Sequence, residues 1–143
     1  MRAVLDTVVF LRALINPRGR WGRLLFDLSD RYVIVLSPEI IEEILSVLYR
    51  PGLRERFPAI AEPARLELVL ATLEGAEVVE PREKVSVCRD TADDKFFECA
   101  LEGHVDYVVT EDKDILAVGE YRSVKAITAA EFMAVLSGGR PGA

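Results

Sequence analysis

A chain of 143 residues, half of them hydrophobic, can bury a core without a disulfide framework or a structural metal. Its two cysteines, Cys88 and Cys99, lack zinc-ligand spacing and read as reduced thiols in or near the core, and the lone histidine, His104, excludes a multi-histidine metal site. A net charge of −6 argues against a surface that coats nucleic acid indiscriminately, though not against a local basic groove, and no apolar run reaches the roughly 18 residues of a membrane span.

Met1-Arg2 leads straight into a strand pattern rather than a signal peptide, so a soluble, cytoplasmic single domain is expected over 1–137, with a disordered Gly-rich tail at 138–143. Residues 2–5 read as a buried strand, Asp6 as a sharp switch, and the apolar run up to Ile15 as a helix. The turn at Asn16-Pro17-Arg18-Gly19 leads into a second short helix, and here Arg12, Arg18, Arg20 and Arg23 surround Trp21. That cationic and aromatic mixture suits single-stranded nucleic acid; a solvated loop whose Trp packs into the domain explains it nearly as well. Tyr32 to Leu36 is a short, β-branched apolar run, the pattern of an inner strand. Ser37-Pro38 then caps an amphipathic helix whose buried arc takes Ile40, Ile41, Ile44, Leu45, Val47 and Leu48, with Glu42 in solvent and Glu43 at the border.

A connector at 53–60 and a helix from Glu62-Pro63 to Gly75 follow, then a short strand near a sheet edge over 76–80 and a polar connection over 81–89. On a helical wheel from Asp93, the residues Phe96, Phe97, Ala100 and Leu101 form an arc with Asp93 near its middle. Asp94 falls at the edge of that arc, and Lys95 and Glu102 fall on the water side. A strand at 107–109, the acidic cluster 110–114, a short helix through Val118, a strand at 124–127 and a helix capped by Thr128 complete the chain. Strands alternating with helices predict a three-layer α/β/α sandwich around a parallel sheet of about five strands. Phosphate-binding glycine motifs are missing from the sequence, which removes support for a nucleotide-binding domain.

In such a sheet, functional groups gather outside the carboxyl ends of the strands, where Asp6 and Asp112 are expected. Asp93 tends inward as well, although a crossover helix can start at either rim. Asp is also a favoured helix cap, so capping alone is a competing account of Asp93. Four inward-tending acids with no inward lysine or arginine to match them need divalent cations between them. With only oxygen donors on offer, the cation would be Mg²⁺ or Mn²⁺.

The sequence resembles the PIN-domain ribonucleases, in particular the VapC-like toxins of toxin-antitoxin pairs, through VLDT at the first strand end, SPEIIEEILSVLYRP, RDTADDKFFECAL and DYVVTEDKDIL. The resemblance implies a divalent-metal-dependent endoribonuclease with Asp6, Glu43, Asp93 and Asp112 as catalytic acids and metal ligands, and Asp114 as an outer ligand. It also implies an RNA substrate, a homodimer and a small antitoxin partner. Val8 stands where such proteins commonly carry Asn two residues after the first aspartate. A catalytically weak RNA- or partner-binding module and a metal-dependent DNA nuclease are the alternatives.

Overall fold

The computed structural model describes residues 1–138, so residues 139–143 of the expected tail lie outside the described residues. Strand β1 (Arg2–Leu5) runs through the middle of the sheet, with Ala3, Val4 and Leu5 fully buried. It is followed by β2 (Val33–Leu36), β3 (Glu77–Val78), β4 (Tyr107–Val109), β5 (Glu120–Tyr121) and β6 (Val124–Ile127), in the spatial order β3-β2-β1-β4-β6-β5. All neighbours are parallel except β5 and β6. The sheet therefore has six strands where the sequence suggests five. The added strand is a two-residue edge piece, folded back on β6 through Arg122 and Ser123, which both take positive φ. Two residues carry too little hydrophobic alternation to be read as a strand; pairing with Val124 and Lys125 makes them one.

The helices are α1 (Thr7–Ile15), α2 (Arg20–Gly22), α3 (Pro38–Leu48), α4 (Pro51–Arg56), α5 (Pro63–Gly75), α6 (Asp94–Glu102), α7 (Lys113–Leu116) and α8 (Ala129–Leu136). They begin where local chemistry satisfies the first free N–H groups. Asp6 accepts from Val9, Ser37 accepts from Ile40 with Pro38 in the first turn, and Thr128 forms a capping box with Glu131. Helix α7 stops at Leu116 instead of running through Val118. On α3 the buried stripe is Ile40, Ile44 and Leu48, while Leu45 is exposed, so the stripe is narrower than the wheel suggests. Helix α2 runs into a π-helical turn at Arg23–Asp27. Its Gly22 lies so close to the Pro17 carbonyl that a Cβ would sit 2.0 Å from that oxygen.

Helix α6 packs on β1, β2, β4 and β6, with Phe97 fully buried and edge-on to Tyr121 of β5. Burying a side chain of this size contributes about 1.5–3 kcal/mol, so α6 is firmly seated on the sheet. From β1 the chain moves outward through β2 to β3, then crosses back to place β4 on the other side of β1. Strand order reverses between β1 and β4, which puts the switch point at the carboxyl ends of those two strands.

Candidate active site

Asp6 and Thr110 are the first residues past β1 and β4, and the register of Leu5 with Val109 sets them side by side. The Asp6 N–H donates to the Val109 carbonyl at 3.0 Å. Asp6 is 3% exposed; one oxygen caps α1 through Val9 at 3.0 Å and the other accepts the Thr110 hydroxyl. Thr110 Oγ1 in turn accepts the Asp112 N–H at 3.0 Å, so a single hydroxyl couples two acids. Asp112 caps α7, its Oδ1 accepting from Asp114 at 2.8 Å and from Ile115 at 3.4 Å. Asp114 itself is exposed.

Burial raises the Asp6 carboxyl above its ordinary range against hydrogen bonds from Thr110, Val9 and Val8, and the Asp112 charge raises it further. Asp93 rises to about 6, first from burial, then from the charges of Asp112 and Asp90, with Lys95 opposing and Glu43 adding to the rise. Asp93 thus senses Asp112, Asp90 and Glu43 together. The Lys95–Glu43 ion pair at 3.1 Å and the Thr7–Glu43 hydrogen bond tie the start of α6 to the residues just past β1, at the carboxyl-end rim, the point that the sequence leaves open.

The wheel from Asp93 needs correction. Helix α6 begins at Asp94, and Asp93 is half-buried at the end of a 3₁₀ turn, Thr91–Asp93, with no side-chain cap bond; Asp90 caps that turn through Ala92. Capping alone therefore does not account for Asp93. Asp94 and Glu98 are the buried acids of the helix, at 5% and 6% exposure. The reason is that the connection 81–89 is not free: Asp94 accepts N–H bonds from Val87 and Cys88, Glu98 from Val85, and Glu102 from Arg82. A single-face wheel fails for a helix covered on a second side by an extended strap. Lys95 also departs from the expected water side, since its side chain is 10% exposed and its Nζ lies 3.1 Å from Glu43 Oε1. The acids do have an inward lysine to match them.

Glu43 is half-buried and Glu42 exposed, as the α3 wheel suggests, and the second Glu43 oxygen accepts the Thr7 hydroxyl at 2.5 Å. Thr7, Thr110 and Lys95 bond the acids of the rim directly, and sequence reasoning misses them. Only Thr110 leaves a signal, a hydroxyl two residues before an acid that can bond forward to its N–H. Cys88 lies near the acids, but burial and then the Asp94 charge push its thiol up to about 12, which leaves it unreactive at neutral pH.

Trp21 is half-buried against the core, its indole N–H donates to Glu111 at 3.4 Å, and the Arg12 guanidinium lies 4.9 Å from its ring centroid. Glu111 also accepts the first N–H of α8, from Ala129, at 3.0 Å. This acid is structural, yet through it the Trp21 loop is tied to the residue preceding Asp112. Arg12, Arg18, Arg20 and Arg23 are exposed and form no ion pair among the described residues.

Among the described residues, no three acids, thiols or imidazoles already converge at ligating distance. The donor set nonetheless fits a hard divalent ion. Its members are carboxylates, and among the described residues Asp93 has no hydrogen bond to its side chain and Asp112 keeps Oδ2 without a partner.

Asp6 and Asp112 thus lie past the carboxyl ends of β1 and β4, at the switch point of the sheet, and both thiols are buried. The chain belongs to the PIN-domain family, a family of nucleases, whose family model matches residues 2–114. It is 34% identical over 120 residues to the uncharacterized protein MJ1680 of Methanocaldococcus jannaschii, covering 82% of this chain and 75% of that protein. Among solved structures it is similar in fold to PAE2754 from Pyrobaculum aerophilum, with a TM-score of 0.61 at 16% identity over 96% of this chain and 90% of the other. It is likewise similar in fold to VapBC2 from Rickettsia felis, solved bound to a DNA fragment from the promoter, with a TM-score of 0.58 at 13% identity over 90% and 98%.

Proposed function

We propose that this chain is a divalent-metal-dependent endoribonuclease, acting in the cytoplasm as the toxin of a toxin-antitoxin pair. Its partners would be a small antitoxin and a second copy of itself. The observation that supports the reading is the coupling of Asp6 and Asp112 through the Thr110 hydroxyl at the β1/β4 switch point, with Asp93 raised to about 6 by burial and then by the charges of Asp112 and Asp90. Mutual repulsion of this kind is relieved by Mg²⁺ or Mn²⁺, and Asp6, Glu43, Asp93 and Asp112 would hold the ion, with Asp114 outside them. When bound, the ion supplies a hydroxide-like water and neutralises charge on the phosphate and the leaving oxygen.

The chain's own contribution is positional. The Thr110 hydroxyl keeps Asp6 and Asp112 in register, and the α6 strap fixes where Asp93 begins. The exposed arginines Arg12, Arg18, Arg20 and Arg23 beside Trp21 offer unpaired cations to an RNA backbone near Asp112. In-line displacement would leave 5′-phosphate and 3′-hydroxyl ends. A second reading, a catalytically weak RNA- or partner-binding module, draws on Val8, which is 42% exposed at the first turn of α1 and supplies no amide beside Asp6.

Incubation with matched RNA and DNA oligonucleotides of one sequence decides among these readings. Cleavage of RNA only, supported by Mg²⁺ or Mn²⁺, suppressed by Ca²⁺ and abolished by EDTA, is the expected result. Cleavage that survives excess EDTA overturns it. Binding of RNA without cleavage favours the weak module, and cutting of the deoxy strand favours a DNA nuclease.

A further inference from the structure

The acidic rim already contains a cation, and it belongs to the chain. Lys95 Nζ lies 3.1 Å from Glu43 Oε1 while its side chain keeps only 10% of its exposure. An ammonium so far removed from water is costly unless a carboxylate compensates it, so this pair differs from the exposed pairs Arg122–Glu83 and Arg82–Glu102 elsewhere on the molecule. The other Glu43 oxygen is also taken, by the Thr7 hydroxyl at 2.5 Å. Both oxygens of Glu43 are thus committed to the protein. Among the described residues Asp93, by contrast, has no hydrogen bond on its carboxylate, and Asp112 uses Oδ1 alone.

Charge counting points the same way. Four carboxylates and one ammonium leave three net negative charges on the rim; one divalent ion reduces them to one, whereas two divalent ions would turn the rim positive.

We propose that Lys95 is a built-in cation occupying the place at Glu43 that a second divalent ion would take. The chain then binds one divalent ion through Asp93 and Asp112, while Glu43 positions Lys95 and Asp6, whose two oxygens are likewise taken by Val9 and Thr110, positions Asp112 through the Thr110 hydroxyl. This narrows the ligand set and rests on the reading of the rim as a metal site.

The test counts Mn²⁺ ions per chain on metal-stripped protein at neutral pH, by titration calorimetry checked against the electron paramagnetic resonance signal of free Mn²⁺. Wild type is expected to take one ion. Lys95→Met, which keeps an unbranched side chain one atom shorter and removes its charge, is expected to take two, and Lys95→Arg one. Glu43→Gln should still bind one ion within about threefold of the wild-type affinity, whereas Asp112→Asn should weaken it tenfold or more. Adding Glu43→Gln to Lys95→Met should remove the second ion again, which separates a vacated site from a rearranged fold; melting curves of each variant accompany the counts.

Two ions in wild type, one ion of unchanged affinity in Lys95→Met, or loss of the ion in Glu43→Gln would each overturn the proposal while leaving the metal reading standing. No Mn²⁺ binding by wild type or any variant would overturn both.

Discussion

Two groups of carboxylates flank the start and one side of α6, and they differ in what they touch. Asp94, Glu98 and Glu102, spaced four apart, accept backbone N–H bonds along the strap 81–89, and Arg82 adds an ion pair to Glu102. Asp93, one residue before them, accepts none among the described residues, and its carboxyl is pushed up by burial and then by the charges of Asp112, Asp90 and Glu43. The first group is satisfied and holds the fold together; the second is held in an unfavourable place by the fold. Acidity in a sequence therefore does not mark a site. An acid whose partners are other acids does, because folding leaves it with a cost that an external cation can repay.

The comparison breaks most visibly in activity. Asp112→Asn or Asp93→Asn is expected to lower RNA cleavage about a thousandfold, roughly 4 kcal/mol of transition-state stabilisation, and Glu43→Gln should be severe while Glu42→Gln is nearly neutral. Steady-state rates on one oligonucleotide measure all four, and equal losses at Glu42 and Glu43 would show that the border position of Glu43 is irrelevant.

Stability should sort the acids the other way. Asp94→Ala leaves the N–H groups of Val87 and Cys88 without their acceptor in a buried place, which is expected to cost about 3 kcal/mol in urea denaturation. A loss under about 1 kcal/mol would mean that the strap finds other partners.

Mg²⁺ should stabilise wild type by roughly 2.7 kcal/mol at a hundredfold excess over its dissociation constant, and Asp93→Asn much less. Melting temperatures with and without Mg²⁺ record both, and an equal Mg²⁺ response in the two proteins would remove Asp93 from the ligand set.

The smallest effect concerns pH. A carboxyl raised to about 6 in the folded state, from 3.8 ordinarily, binds its proton more tightly folded than unfolded. Its contribution to stability is present below about pH 4 and is lost as pH rises through 6. Metal-free Asp93→Asn should therefore melt at or above wild type at pH 7, by on the order of 1 kcal/mol once solvent screening of a half-exposed group is allowed for. The difference should close at pH 4. A variant clearly less stable than wild type at pH 7 would make Asp93 structural, like Asp94.

Much of the fold follows from the sequence because its signals are local. Continuous β-branched runs make the strands at 2–5 and 33–36, and Ser37-Pro38 and Thr128 start helices by satisfying N–H groups within a turn. Asp6 and Asp112 are legible for the same reason, each lying just past a strand whose end is predictable. The rim on which Asp93 lies is decided only by the return of the chain from β3 across the sheet to β4, a non-local event. The partners that separate Asp93 from Asp94, and that bring Lys95 onto Glu43, come from residues 81–89 and from α3, distant in sequence from α6. A wheel holds one helix and one buried face; burial, charge coupling and hydrogen-bond satisfaction depend on everything packed around the helix, and only tertiary structure sets those.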